Sequence, residues 1–287
     1  MRFRSPGTRE SPSPAVHVLL CARRVVLACV LLATPSIAGC SDDTDPTRRV
    51  TDTTASVTWR AEIIARKAHD TNVFTQGLEI DGTVLYESSG LYGRSSVRAI
   101  DRASGRVLRS YDLPATMFAE GLTRIGDRLV VLTWQERVAF VLDAATFTEV
   151  TRLEYDADGW GICALGEEII TSDGSARLTV RDPQTLVARR TVVVSLAGAA
   201  VTNLNELECA SGAVYANVWR TDRIVRIDAT SGQVTAIADM PELRPRSTTD
   251  DPDGALNGIA YDATNATFLL TGKRWPEMFE VRFVPTS

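Results

Sequence analysis

Short strand-like segments recur along this 287-residue chain at a spacing of about 45 residues, and no other feature narrows its fold so far. Four of them end in Asp at a turn: "SVRAIDRASG" (Asp101), "AFVLDAATF" (Asp143), "LTVRDPQTL" (Asp182) and "IVRIDATSG" (Asp228). Each alternates apolar and polar residues, the pattern of a half-buried strand. Each Asp can accept bonds from nearby backbone amides, so these four read as structural. A second series, "FTQGLEI", "FAEGLTRI", "DGWGICAL", "NLNELECA" and "ALNGIAYD", runs in step, anchored at Gly77, Gly121, Gly161, Glu206 and Gly258. Between the two lies a third: "VLYESSG", "VVLTWQE", "IITSDGS", "YANVWRT" and "LLTGKRW". Five units of four short strands predict an all-β fold, a five-bladed β-propeller. The fifth unit, from Ala255 to Phe283, supplies only three strands. "SVTWRAEIIAR" (Ser56–Arg66) is predicted to be its fourth, so that the N- and C-terminal strands pair in the last blade and no sheet edge stays free. The Pro- and Asp-rich stretch Pro241–Gly254 reads as a long surface loop.

The propeller is predicted over residues 57–287, because the front of the chain has a different character. Arg23 and Arg24 precede an apolar run, Val25–Ala33, and small residues follow in "IAGC". This is a secretory signal over residues 1–40, with Cys40 placed like the lipidated cysteine of a bacterial lipobox. Residues 41–56 are polar and read as a flexible tether. The expectation is an exported monomer, lipid-anchored to a cell-envelope membrane with its propeller outside the cytoplasm. Removing the leader, which carries five Arg and one Glu, takes the net charge from −5 to −9. A basic surface for nucleic acid is therefore not expected. His17 and His69 are the only histidines and His17 lies in the leader, so a multi-His metal site cannot be built.

In a propeller the first strand of each blade lines the central channel. The residues just before the five anchors are Gln76, Glu120, Trp160, Asn205 and Asn257, which should converge at one channel mouth. Polar groups brought together there cost free energy unless they are paired, wet or used. One reading is an inert, water-filled channel; the other is a site. The third series adds Glu87, Trp134, Ser172, Asp173, Asn217, Trp219 and Lys273, with Trp275 close by. Four of the five Trp thus fall in these motifs, as in a pocket with apolar walls and a few aimed polar groups. Lys273 is one of two lysines in a chain that otherwise uses Arg, and a buried ammonium shifts its pKa readily. Cys163 lies two residues past its anchor and Cys209 three past its own. That parity points them to opposite sheet faces, so free buried thiols are expected.

The motifs "FTQGL", "LYESSGLYGRSS", "EGLT", "LTWQ", "GWG", "SDGS", "RDPQT", "LNELE", "ANVW", "LNGIAYD" and "TGKRWP" resemble the glutaminyl-peptide cyclotransferases of the plant and bacterial type, in order from about His69 to Phe283. Ala119 and Asp158 stand where that pattern has Gly and Glu. The resemblance implies a five-bladed propeller that turns the N-terminal Gln of a peptide into pyroglutamate with loss of ammonia, without metal or cofactor. It favours Glu87, in "YES", as the acid/base group, and a carboxylate facing an aromatic-walled pocket would have a raised pKa. Glu120 is the second candidate, or a partner for the substrate's ammonium. Lys273, Asn205 and Gln76 are candidate donors to the carbonyl oxygen. Trp134, Trp160, Trp219 and Trp275 would wall the Gln side chain, with Asn217 and Asn257 also binding substrate. A calcium-dependent propeller hydrolase or lactonase and a non-catalytic binding propeller are the competing readings.

Overall fold

Runs of five to seven alternating residues, broken at Gly, Asp and Asn turns, cannot bury both faces alone and must stack as ribbons. The computed structural model describes residues 56–286 apart from Thr249, Asp250 and Pro252. The expected signal, Cys40 and nearly all of the tether lie outside the described residues.

The first strand, β1 (Val57–Ala68), is followed by three antiparallel four-stranded sheets. One holds β2 (Thr75–Asp81), β3 (Val84–Ser89), β4 (Ser96–Asp101) and β5 (Val107–Asp112). The next holds β6 (Ala119–Ile125), β7 (Arg128–Thr133), β8 (Val138–Asp143) and β9 (Glu149–Glu154). The third holds β10 (Ile162–Leu165), β11 (Glu168–Ser172), β12 (Arg177–Arg181) and β13 (Ala188–Val193). A small ribbon, β14 (Ser195–Leu196) with β15 (Ala199–Ala200), leads to β16 (Leu204–Ala210), β17 (Ala213–Val218), β18 (Arg223–Ile227) and β19 (Val234–Asp239). Two 3₁₀ turns, Pro241–Leu243 and Arg246–Thr248, occupy part of the predicted loop before β20 (Leu256–Asp262), β21 (Thr267–Gly272) and β22 (Glu277–Pro285).

The termini meet as the repeat count requires. β1 pairs antiparallel with β22 along its length and parallel with β19 over Val57–Trp59. The result is one eight-stranded sheet in the order β16-β17-β18-β19-β1-β22-β21-β20. Trp59 stacks on Phe283 at 5.6 Å between ring centres, so this indole belongs to the core.

Neighbouring sheets pack face to face, one front against the next back. Ile169 joins a cluster with Val130 and Leu132 of β7, while Ile170 joins one with Val214 and Ala216 of β17. Leu78 and Leu85 of the first sheet pack against Ala260 and Leu269, so the first and last sheets also touch. The whole is all-β and of propeller type. The Asp turns are as read: Oδ1 of Asp101, Asp143, Asp182 and Asp228 accepts the backbone N–H three residues on, at 2.7–2.9 Å.

The cysteine expectation fails. Cys163 of β10 and Cys209 of β16 form a disulfide, with Cα atoms 5.4 Å apart. Their opposite parity is what brings them together, because the front of one sheet faces the back of the next.

Candidate active site

Where a strand carries one residue more than its partner, the ladder bulges and the extra side chain is re-aimed. β2, β6, β16 and β20 each do this against the following strand, between Thr75 and Gly77, Ala119 and Leu122, Leu204 and Leu207, and Leu256 and Ile259. Gln76, Glu120, Asn205 and Asn257 lie within these irregularities. The small anchors beside them are obligatory. A Cβ on Gly121 would sit 2.8 Å from the Trp160 carbonyl oxygen and 2.9 Å from the Cα of Gly161. At the fourth anchor Glu206 replaces Gly. Its carboxylate accepts the Leu78 N–H at 3.4 Å and the Ile259 N–H at 2.9 Å, tying three of these strands together.

A pocket of about 330 Å³ opens where these segments meet. Gln76, Glu120, Trp134, Trp160, Asn205, Trp219 and Lys273 line it together with Phe74, Leu91, Phe118, Arg220, Asp253 and Arg274. Seven of the predicted site residues are thus assembled. Four are not. Asn257 stands behind Gln76, its amide donating to the Thr75 carbonyl at 2.9 Å and to Gln76 Oε1 at 3.2 Å. Asn217 accepts the Gly258 N–H through Oδ1 at 3.0 Å. Trp275 is fully buried in the core, and its indole N–H donates to the Gly254 carbonyl at 3.0 Å. Its flanking sequence resembles that of the pocket tryptophans, but the turn after β21 folds its ring inward.

Glu87 is the fourth, and its surroundings overturn the expectation of a raised pKa. It is fully buried and lies directly across the ladder from Arg98, whose Nη2 donates to Oε2 at 2.9 Å. Oε1 accepts from His69 Nε2 and from Thr75 Oγ1, both at 2.8 Å. His69 Nδ1 donates in turn to the Trp275 carbonyl at 2.7 Å. With acceptors at both ring nitrogens the imidazole is the charged form. Burial pushes the Glu87 carboxyl up, but the His69 and Arg98 bonds outweigh it and hold it below the usual range. For His69, burial pulls the pKa down and the Glu87 carboxylate more than restores it, leaving it raised. A cleft of about 580 Å³ beside this network is lined by charges that are already engaged: Asp70 with Arg98, Arg102 with Asp262, Lys67 with Glu280.

Glu120 is the opposite case. It is 6% exposed, and its carboxylate has no hydrogen-bond or ion-pair partner among the described residues. Burial raises its pKa well above the ordinary value; Lys273 offsets part of this and Glu136 adds to it. Its backbone is fixed from behind by Ser88, whose Oγ donates to the Glu120 carbonyl at 2.6 Å. Lys273 is buried with Nζ 4.8 Å from the centre of the Phe74 ring. Burial lowers its pKa, while Glu120 and Asp253 pull it back up. The Asn205 side-chain oxygen is buried without a partner. Trp160 and Trp219 meet edge to face at 5.4 Å, and Phe118 and Trp134 at 5.7 Å. A buried carboxyl able to hold or release a proton, an ammonium beside it and an orphaned amide oxygen under an aromatic wall suit proton transfer on a small polar group.

Sequence reasoning missed Phe74, Leu91 and Phe118 of the wall and the rim residues Arg220, Asp253 and Arg274. The Phe residues two positions before Gln76 and Glu120 were visible in the repeats "FTQG" and "FAEG".

The family model for glutamine cyclotransferase matches residues 31–283. A glutaminyl-peptide cyclotransferase of Arabidopsis thaliana is 36% identical over 230 residues, covering 79% of this chain and 72% of the relative. The crystal structure of Myxococcus xanthus glutaminyl cyclase superposes with a TM-score of 0.76 at 33% identity, covering 81% of this chain and all of that one. The WD40 repeats of RRP9 match with a TM-score of 0.52 at 8% identity, a likeness of fold alone. This chain belongs to the glutamine cyclotransferase family.

Proposed function

We propose that the protein cyclises the N-terminal Gln of peptides to pyroglutamate, with Glu120 in the acid/base role. The observation that carries this reading is the buried Glu120 carboxyl, without a partner among the described residues and set among three indoles. The α-amine nitrogen attacks the side-chain carboxamide carbon, a five-membered ring closes, and the bond to the amide nitrogen breaks to release ammonia. Glu120 takes the proton from the attacking amine and delivers it to the departing nitrogen, so no other reactant is consumed. Its raised pKa suits both halves of that task. Lys273 stabilises the negative charge that grows on the carbonyl oxygen. Asn205 and Gln76 hold the carboxamide, and Trp134, Trp160 and Trp219 fold the side chain toward its own amine and exclude water.

The same reading takes the fold as five blades, supported by the five sheet-to-sheet clusters and by β1 completing the set β20–β22. It also takes the chain as exported and held by a lipid at Cys40. The Cys163–Cys209 bridge supports that placement, since disulfides persist in oxidising compartments.

Ammonia release from a Gln-Ala peptide amide tests the function. Turnover should survive a chelator and be lost in Glu120→Gln. Turnover lost in Glu87→Gln, at full folded fraction, but kept in Glu120→Gln would reverse the assignment.

A further inference from the structure

The pocket mouth carries a cation that no carboxylate neutralises among the described residues. Arg220 follows Trp219 in the turn after β17, is exposed, and lines the pocket. Its guanidinium carbon lies 4.3 Å from the centre of the Trp219 ring. The turn beneath is pinned: the Trp219 N–H donates to Asn203 at 2.8 Å and the Thr221 N–H to Val218 at 3.1 Å. Arg220 itself holds a left-handed backbone, φ 63°, which costs strain in a non-glycine residue. The two acids nearest it in sequence with an ion-pair partner are committed elsewhere. Asp222 is 2.7 Å from Arg244 and Asp239 is 2.7 Å from Arg223. The other rim arginine, Arg274, is 2.9 Å from Asp251. Of the ionisable lining residues, Arg274 is thus paired with Asp251, and Lys273 is buried beside Glu120, which leaves Arg220 as the exposed cation at the rim with no ion-pair partner among the described residues.

A peptide whose N-terminal Gln reaches buried Glu120 must lead its next residues out across this rim. We infer that Arg220 selects peptides with a carboxylate directly after the N-terminal Gln, such as Gln-Glu and Gln-Asp sequences. The inference rests on the cyclisation reading and names its substrate class. A guanidinium already stacked on an indole loses little further freedom when it grips a carboxylate, and its fork matches that group.

The test compares kcat/KM for Gln-Glu-Ala, Gln-Ala-Ala and Gln-Lys-Ala amides at low and high salt. The acidic peptide should lead the neutral one by about fivefold at low salt, the scale of an exposed ion pair, and the lead should shrink at high salt. Arg220→Ala should bring the ratio to one, Arg220→Lys should keep part of it, and Arg220→Glu should turn the preference toward the lysyl peptide. Equal rates on the three peptides, or a preference unchanged in Arg220→Ala, would overturn the inference while leaving cyclisation standing. Absence of turnover on every peptide would overturn the cyclisation reading and this inference with it.

Discussion

Glu87 and Glu120 are both buried carboxylates in short strands of adjacent sheets, and the protein treats them in opposite ways. Glu87 is surrounded by donors: His69, Arg98 and Thr75 occupy both of its oxygens. Glu120 faces a pocket with Lys273 near but not in contact. Burial is common to the two, so burial alone does not mark a reactive acid. The difference lies in whether the desolvated charge has been given partners. A fully satisfied carboxylate is a brace, and its proton affinity is spent. An unsatisfied one is a strained group that a substrate can complete.

The comparison can be broken most decisively by catalysis. Glu120→Gln should reduce turnover of a Gln-peptide by about 10²–10⁴-fold, the usual contribution of a general acid/base, with circular dichroism unchanged. A residual rate within a few-fold of wild type would end the distinction.

The next effect is on stability. Glu87→Gln removes the carboxylate that bridges His69 and Arg98, leaving Arg98 with Asp70 alone and His69 without the charge that offsets its burial. Urea unfolding should show a loss of about 3–5 kcal/mol. If the variant matches wild type, the network is not a brace.

A smaller effect has the opposite sign. Glu120 has a folded pKa above its unfolded value, so its contribution to stability is complete below about 4.5 and lost as pH rises through the shifted value. At neutral pH the protein carries the cost of that upward shift. Glu120→Gln should therefore stabilise the fold by about 1 kcal/mol, visible as a higher Tm at pH 7. A fall in Tm would show that the carboxylate has a hidden partner.

The finest test uses pH. The raised pKa of His69 means that its stabilisation is full below 6.5 and fades as pH rises through the folded value. Glu87, held low, contributes above 4.5 and is lost as pH falls. The pair is strongest between these limits. His69→Gln should lower Tm near pH 6 and flatten its decline toward alkaline pH. Parallel wild-type and variant curves would place the titration elsewhere.

Much of this arrangement was open to reading from the sequence, and the exceptions have physical causes. The 45-residue period set the sheets, and the strand Ser56–Arg66 was correctly paired with the C-terminal end. The positions before the anchors marked four pocket residues, because repeat position survives folding even where ladder register does not. What the alternation could not show was aim. A bulge turns Glu120 into the pocket, whereas regular pairing sets Glu87 opposite Arg98, and one residue of slip decides between them. An arginine across the ladder from a strand glutamate was the available clue. The disulfide was missed for a related reason: parity was counted within a sheet, although the bridge runs between two.

Beyond Trp59, β1 is hydrogen-bonded to β22 alone, so residues 60–68 wait for residues 277–284 before they are paired. A chain emerging from a ribosome or a translocon can build its middle sheets early, but it must keep its first strand exposed until the last has appeared. Loss of a few C-terminal residues therefore unlatches the two ends together, and the damage falls on the sheet that carries Lys273 at the end of β21.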